Sequence, residues 1–198
     1  MLAPRRSFII LAIVLCATAA RALNAAGTAA PAANVLNLAW WTDVGFPTPF
    51  AFSTVGPGGV VRLSLIYDTL TWKDAHGLIP WLATSWQVSP DGRTYTFTLH
   101  PDVRWQDGRP LSAADVRFTF EYYKHHPFRW VSVDRVTEIA APDPRTVSIS
   151  LPEPYAPFLS EIAGIVPVLP AHIWRDIQDP AQAQDPRAAT GSGPYRLA

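Results

Sequence analysis

The sequence is poor in cysteine, in methionine and in charge. Its 198 residues include one cysteine, Cys16, and one methionine. Charged residues make up 16% of the chain, against about 25% in an average globular domain. With one cysteine, an intrachain disulfide and a thiolate metal cluster are excluded. The 16 basic and 16 acidic residues also lack the basic excess of a nucleic-acid-binding protein.

Motifs of several enzyme classes are missing as well. The sequence contains no Gly-x-Ser-x-Gly and no His-Glu-x-x-His, and its five histidines do not show metal-ligand spacing. Residues 56–59 are glycine-rich, but Pro57 removes a backbone N–H and no Lys-Ser/Thr follows, so they do not form a phosphate loop. We therefore predict no enzyme, no metal site and no cofactor. An exported hydrolase with catalytic residues beyond Ala198 stays open as the alternative.

The N-terminus has the pattern of a secretory signal peptide. Arg5 and Arg6 precede an apolar run from residue 8 to 17, and an Ala-x-Ala site ends at Ala22. We expect residues 1–22 to be a cleavable signal peptide and residues 23–33 to be a flexible leader. Cleavage leaves 13 basic against 16 acidic residues, a net charge of −3. The mature protein is then periplasmic, and its mild acidity again disfavours nucleic acid.

Two details of export follow from the same segment. Cys16 comes after Leu15, which is larger than the residue that a lipoprotein signal has at that position, so lipid anchoring is disfavoured. Residues 5–9 resemble a twin-arginine motif with altered flanks, and the general and twin-arginine routes therefore both stay open.

Hydrophobic periodicity divides the rest of the chain into short helices and strands. An apolar stretch at 35–41 predicts a buried strand, and the loop at 42–59 is rich in proline, glycine and phenylalanine. Helical spacing at 60–70 follows, with an apolar face of Leu63, Ile66, Tyr67 and Leu70. The interpretation is a mixed α/β fold with antiparallel hairpins.

Several later segments have sharper signals. Alternation around Trp86 and at 94–99, across a Ser-Pro-Asp-Gly turn, predicts a hairpin with one buried face. Ser112 and Asp115 predict a capping box at the start of a helix that ends before Pro127. Alternation at 146–151 predicts another strand, and helical spacing at 155–162 predicts a second helix.

Six of these segments resemble one family in order and spacing. They include LIPWLATSW at 78–86, VRWQDGRPLSAADV at 103–116, EPYAPF at 153–158 and GSGPY at 191–195; the others are residues 91–99 and 141–147. Together they resemble the family 5 extracellular solute-binding proteins, the peptide- and nickel-binding type that serves ABC importers. The resemblance covers about residues 34–198.

The resemblance implies a periplasmic-binding-protein-like, two-lobed clamshell of type II, the peptide-binding type. Residues 34–198 are then the N-terminal part of the solute-binding domain, and about 66–170 form the subdomain inserted into the first lobe. The second lobe is expected beyond this sequence. The implied partners are a peptide or another small solute and the ABC permease and ATPase complex, with the full-length protein a monomer.

The ligand-binding residues that we predict are Trp40, Trp41, Thr42 and Phe46, because they follow the first expected strand. Ligands of open α/β sheets lie beyond the carboxyl ends of strands, and aromatic rings accommodate varied side chains. The alternative for either tryptophan is simple packing. The turn at 105–108 and the helix start at Ser112 are expected to be structural, with Trp105 in the core and Gly108 supplying a positive φ.

Overall fold

The structure is a computed structural model that describes residues 35, 45–50, 57–129 and 131–197; of residues 57–60 it describes the backbone alone. From residue 45 onward these residues belong to one compact unit, Asp43–Ala198. Before that unit only Val35 is described, and it is exposed. The strand expected at 35–41 and most of the loop at 42–59 therefore lie outside the described residues.

A four-stranded antiparallel sheet is the centre of the unit. Its strands are β3 (Ala83–Val88), β4 (Thr94–Leu99), β5 (Glu138–Asp143) and β6 (Thr146–Ser150), in the order β3-β4-β6-β5. A separate hairpin pairs β1 (Thr71–Asp74) with β2 (Gly77–Pro80). The predicted hairpin around 89–92 and the predicted strand at 146–151 are confirmed.

One face of this sheet forms the core. The alternating residues of β4 and β6 that point inward are buried; they are Tyr95, Phe97, Leu99, Val147 and Ile149. Their neighbours on the other face are threonines and serines that stay partly exposed. On edge strand β3, Trp86 and Val88 pair with Phe97 and Tyr95. Trp86 is nevertheless half-buried and Val88 exposed, and among the described residues no further strand covers that edge.

Helix α2 (Ala113–His125) covers the buried face with Val116, Phe120 and Tyr123. It begins with the predicted capping box between Ser112 and Asp115 and ends before Pro127. No helix in the described ranges is both long enough and apolar enough to cross a membrane.

Helix α1 (Pro57–Ile66) begins and ends earlier than the predicted 60–70. Proline fits the first helical turn, which moves the start to Pro57. The helix stops at Ile66 because the carbonyls of Leu65 and Ile66 accept hydrogen bonds from a distant segment instead of from residues 69 and 70. Tyr67 and Leu70 are buried as predicted, but they lie beyond the helix.

The second predicted helix, at 155–162, is wrong in extent. Only a five-residue π-helical turn, Phe158–Ile162, forms there, since Pro154 and Pro157 remove amide donors and restrict the preceding backbone. Phe158 and Ile162 nevertheless point into the core as expected. Helix α3 (Ala171–Trp174) and two 3₁₀ turns, Pro180–Gln182 and Pro186–Ala189, complete the unit.

Candidate functional site

The predicted ligand-binding residues lie at and before a loop of which residues 45–50 are described. Phe46 is half-buried in this segment, and its carbonyl accepts a hydrogen bond of 2.8 Å from the amide of Thr48. Thr48 is fully buried. Trp40, Trp41 and Thr42 lie outside the described residues, and their role stays a prediction.

Phe50 anchors this loop on an aromatic cluster. Its ring stacks on Tyr123 at 5.1 Å between centroids and contacts Tyr122 edge-on at 5.7 Å and Trp174 at 5.4 Å. Such ring pairs contribute about 0.5–1.5 kcal/mol each beyond the area that they bury. Phe50 is therefore fixed to α2 and α3, and Phe46 is four residues away from that anchor.

Beside α1 lies a small crevice with a volume of about 10 Å³. The residues that line it are Leu63, Ser64, Tyr67, Thr69, Trp72, Phe128, Gly164, Ile165 and Pro167. The hydroxyl of Thr69 donates to the carbonyl of Thr71, so it is already occupied within the protein. Space of this size holds about one water molecule and no solute.

A larger polar groove, with a volume of about 540 Å³, was not predicted from the sequence. It is lined by Val131, Ser132, Asp134, Arg135, Pro152, Tyr155, Glu161 and Ile162. Arg135 lies 4.8 Å from the centre of the Tyr155 ring and pairs with Glu153 at 2.9 Å. The hydroxyl of Tyr155 donates to Glu161 at 2.5 Å. No sequence signal joins these residues, because they come from three separate segments.

The groups whose pKa is shifted do not provide an acid or a base near neutral pH. Burial raises the pKa of the Tyr67 and Tyr123 phenols, and it raises that of Tyr122 to about 12, with a smaller contribution from the charge of Asp179. These phenols stay protonated at neutral pH.

Four turn aspartates have lowered pKa values, and they are Asp91, Asp107, Asp143 and Asp185. A side-chain hydrogen bond from Ser89 is the main cause at Asp91. At Asp107 desolvation acts to raise the pKa, but hydrogen bonds from the Arg109 amide and His172 outweigh it. Within the described ranges, no group of three or more His, Cys, Asp or Glu side chains could hold a metal ion.

The turn at 105–108 has the structural role that the sequence predicted. Trp105 is 2% exposed and lies in the core. Gly108 has a φ of +88°, and its amide closes the turn onto the carbonyl of Trp105 at 2.8 Å. Gln106, between them, was not predicted to matter; its side chain bonds to residues 85 to 89 positions away.

Comparison with known proteins identifies the family. The family model described as "Bacterial extracellular solute-binding proteins, family 5 Middle" matches residues 77–198, well over half of the chain. The chain belongs to this family. All six segments that suggested it from the sequence lie within the matched residues.

Two curated members of the solute-binding family show the range of relatives. The chain is 32% identical over 140 residues to the nickel-binding periplasmic protein of Escherichia coli, and the aligned residues are 68% of this chain and 26% of that protein. It is 34% identical over 119 residues to a probable D,D-dipeptide-binding periplasmic protein of the same organism, and the aligned residues are 59% of this chain and 23% of that protein. The chain thus spans about a quarter of the length of these relatives.

A solved structure of a solute-binding protein confirms the fold. The chain is similar to NikA from Brucella suis, determined in complex with Fe(III)-EDTA, with a TM-score of 0.68 and 29% identity. The match covers 82% of this chain and 33% of NikA. The predicted α/β fold of the periplasmic-binding-protein type, of which this chain forms a part, is therefore confirmed.

Proposed function

We propose that the full-length protein is the substrate-binding component of an ABC importer and that it captures peptides or similar small solutes without changing them chemically. The observation that carries this proposal is the family match over residues 77–198. It is supported by relatives whose names describe binding of nickel and of D,D-dipeptides.

The proposed site contains Trp40, Trp41, Thr42 and Phe46. Aromatic rings there would contact solute side chains of varied character, while backbone N–H and C=O groups would pair with a peptide backbone. The anchor of Phe50 on Tyr122, Tyr123 and Trp174 supports this role, because it holds the loop four residues from Phe46 before any solute arrives. A loop fixed in this way loses less conformational entropy when it binds.

The proposed cellular context follows from the signal-peptide pattern and the relatives. Residues 1–22 would direct export and be removed, residues 23–33 would form the leader, and the mature protein would work in the periplasm as a monomer. Closure of two lobes around the solute would depend on a higher affinity of the solute for the closed state. The closed protein would then dock on a membrane permease whose ATPase supplies the energy.

The proposed arrangement places an inserted subdomain at about residues 66–170. Its support is that the two ends of this segment lie side by side, since the amide of Val168 donates to the carbonyl of Asp68 at 2.9 Å. An insertion needs its two connections side by side.

Isothermal titration calorimetry on the full-length mature protein tests the proposed function. The titrants are a peptide library, a nickel–histidine chelate and a set of oligosaccharides. We expect binding of one peptide class at 1:1 stoichiometry, and weaker binding in Trp40→Ala and Trp41→Ala. Trp86→Ala, on the edge strand β3, is the control and should bind as the unmodified protein does. Heat with a chelate or a sugar and none with peptides would refute the peptide assignment.

A further inference from the structure

Two segments that are distant in sequence, residues 65–66 and residues 191–195, lie side by side. We call the two segments together the neck. The amide of Gly193 donates to the carbonyl of Ile66 at 2.8 Å, and the amide of Tyr195 donates to that of Leu65 at 2.8 Å. These carbonyls belong to the last turn of α1, which a helix leaves without internal partners. The returning segment therefore caps the end of α1 with its backbone.

Close backbone approach explains both glycines of the Gly-Ser-Gly motif. A Cβ atom on Gly191 would lie 1.7 Å from the carbonyl oxygen of Ile66, and one on Gly193 would lie 2.8 Å from it. Both distances are too short for real atoms, and the obstacle is backbone, which does not rotate away as a side chain does. The motif is therefore required for contact at the neck.

Gln106 bonds to both sides of the neck. Its backbone amide donates to the carbonyl of Gly191 at 2.9 Å, and its side-chain Oε1 accepts from the amide of Gly191 at 3.1 Å. Its Nε2 lies 3.0 Å from the carbonyl oxygen of Gly193, 2.6 Å from that of Tyr195 and 3.4 Å from that of Ile66. A carboxamide has two N–H donors, so the three acceptors share them.

The turn that carries Gln106 is itself rigid. Trp105 on one side is buried, and its amide donates to the carbonyl of Arg109 at 2.9 Å. On the other side Asp107 pairs with His172 at 2.7 Å. Gln106 is thus held in place by neighbours in the core and on α3, and it does not need the neck to fix its own position.

We propose that Gln106 is a positioning residue that clamps the neck, so that residues 191–195 stay in one arrangement against the end of α1. No other side chain type of this length supplies both the acceptor for Gly191 and the donors for the carbonyls of Gly193 and Tyr195. A glutamate keeps the acceptor but presents negative oxygen to those carbonyls, and a methionine of similar volume supplies neither. The clamp does not depend on which solute the protein binds.

Hydrogen–deuterium exchange on the full-length protein tests the clamp at its own amides. In Gln106→Glu and Gln106→Met we expect the amides of Gly191, Gly193 and Tyr195 to lose protection by about 10- to 100-fold, the effect of losing one or two hydrogen bonds. The amides of the central strand β4 should keep theirs. Gln87→Glu, the same change at an exposed site on β3, is the matched control and should leave the neck protected.

Acidification separates the clamp from a simple loss of packing. At about pH 4, near the ordinary pKa of a glutamate carboxyl, that group begins to gain an O–H donor, and the three carbonyls around it favour the protonated form. Protection factors at the neck in Gln106→Glu should therefore recover part of their loss on going from neutral pH to about pH 4, and those in Gln106→Met should not. Neck protection within twofold of the unmodified protein in both variants at neutral pH would overturn the proposal, as would equal behaviour of the two variants on acidification.

Discussion

Replacing Asp115 with asparagine is expected to destabilise the junction between α2 and α3. One carboxylate oxygen of this buried residue accepts from the amide of Ser112 at 2.9 Å and from its hydroxyl at 3.2 Å. The other accepts from the amide of Ala171 at 3.1 Å. The carboxylate thus begins one helix and ties it to the start of the next. An asparagine side chain has one acceptor oxygen and one NH₂ donor. In either orientation the NH₂ group therefore faces the backbone N–H of Ser112 or of Ala171, and that N–H loses its acceptor.

The magnitude follows from these contacts. A buried backbone amide without a partner costs about 1–3 kcal/mol. Loss of a negative charge from the first turn of a helix adds about 0.3–1 kcal/mol. The free energy of unfolding should therefore fall by about 1–4 kcal/mol in Asp115→Asn. Asp134→Asn, the same change at an exposed carboxylate, should alter it by less than about 0.5 kcal/mol.

Urea denaturation of the full-length protein, followed by tryptophan fluorescence, measures both variants. Trp174 is buried in α3, three residues after Ala171, so its emission should report on the junction. Hydrogen exchange at the amides of Ser112 and Ala171 gives a local reading of the same change. An Asp115→Asn protein as stable as Asp134→Asn would refute the account of this junction.

Three further changes test other parts of the structure. Phe50→Ala removes the half-buried anchor of the loop and should lower stability by about 2 kcal/mol, about half the cost of a fully buried Phe→Ala change; unchanged urea unfolding would contradict the anchor. Gly108→Ala meets no atom within 4 Å but forces a φ of +88° on alanine, so it should cost about 1–2 kcal/mol by thermal denaturation, and no loss would contradict a strained turn. Asp91 and Asp143 have lowered pKa values in the folded protein. The stability that they contribute is therefore present above the unfolded pKa of about 3.9 and is lost as pH falls from there through the lower pKa of the folded state. The melting temperature of Asp91→Asn should fall less steeply on acidification than that of the unmodified protein, and an equal fall would contradict this.

Local patterns predicted the parts of the fold whose contacts are close in sequence. The alternation of Tyr95, Phe97 and Leu99 correctly predicted a strand with one buried face, because side chains along a strand point to the same face every two residues. The capping box of Ser112 and Asp115 depends on residues three apart, and it is present as expected. These signals need no knowledge of the rest of the chain.

Other features depend on contacts that no local pattern reveals. The short hairpin of β1 and β2 was not predicted, because its four-residue strands show little alternation, although Asp74 accepts from the amides of His76 and Gly77 to close its turn. Helical spacing alone extended α1 to Leu70, whereas bonds from residues about 130 positions away end it at Ile66. The roles of Phe50 and Gln106 were missed for the same reason.

The most direct test of solute capture without chemical change is recovery of the bound solute. The mature full-length protein is saturated with the peptide class that calorimetry identifies, incubated, denatured, and analysed by mass spectrometry for the peptide and its fragments. We predict one intact peptide for each protein molecule and no accumulation of products with time. Peptide fragments that increase in proportion to incubation time would contradict the account.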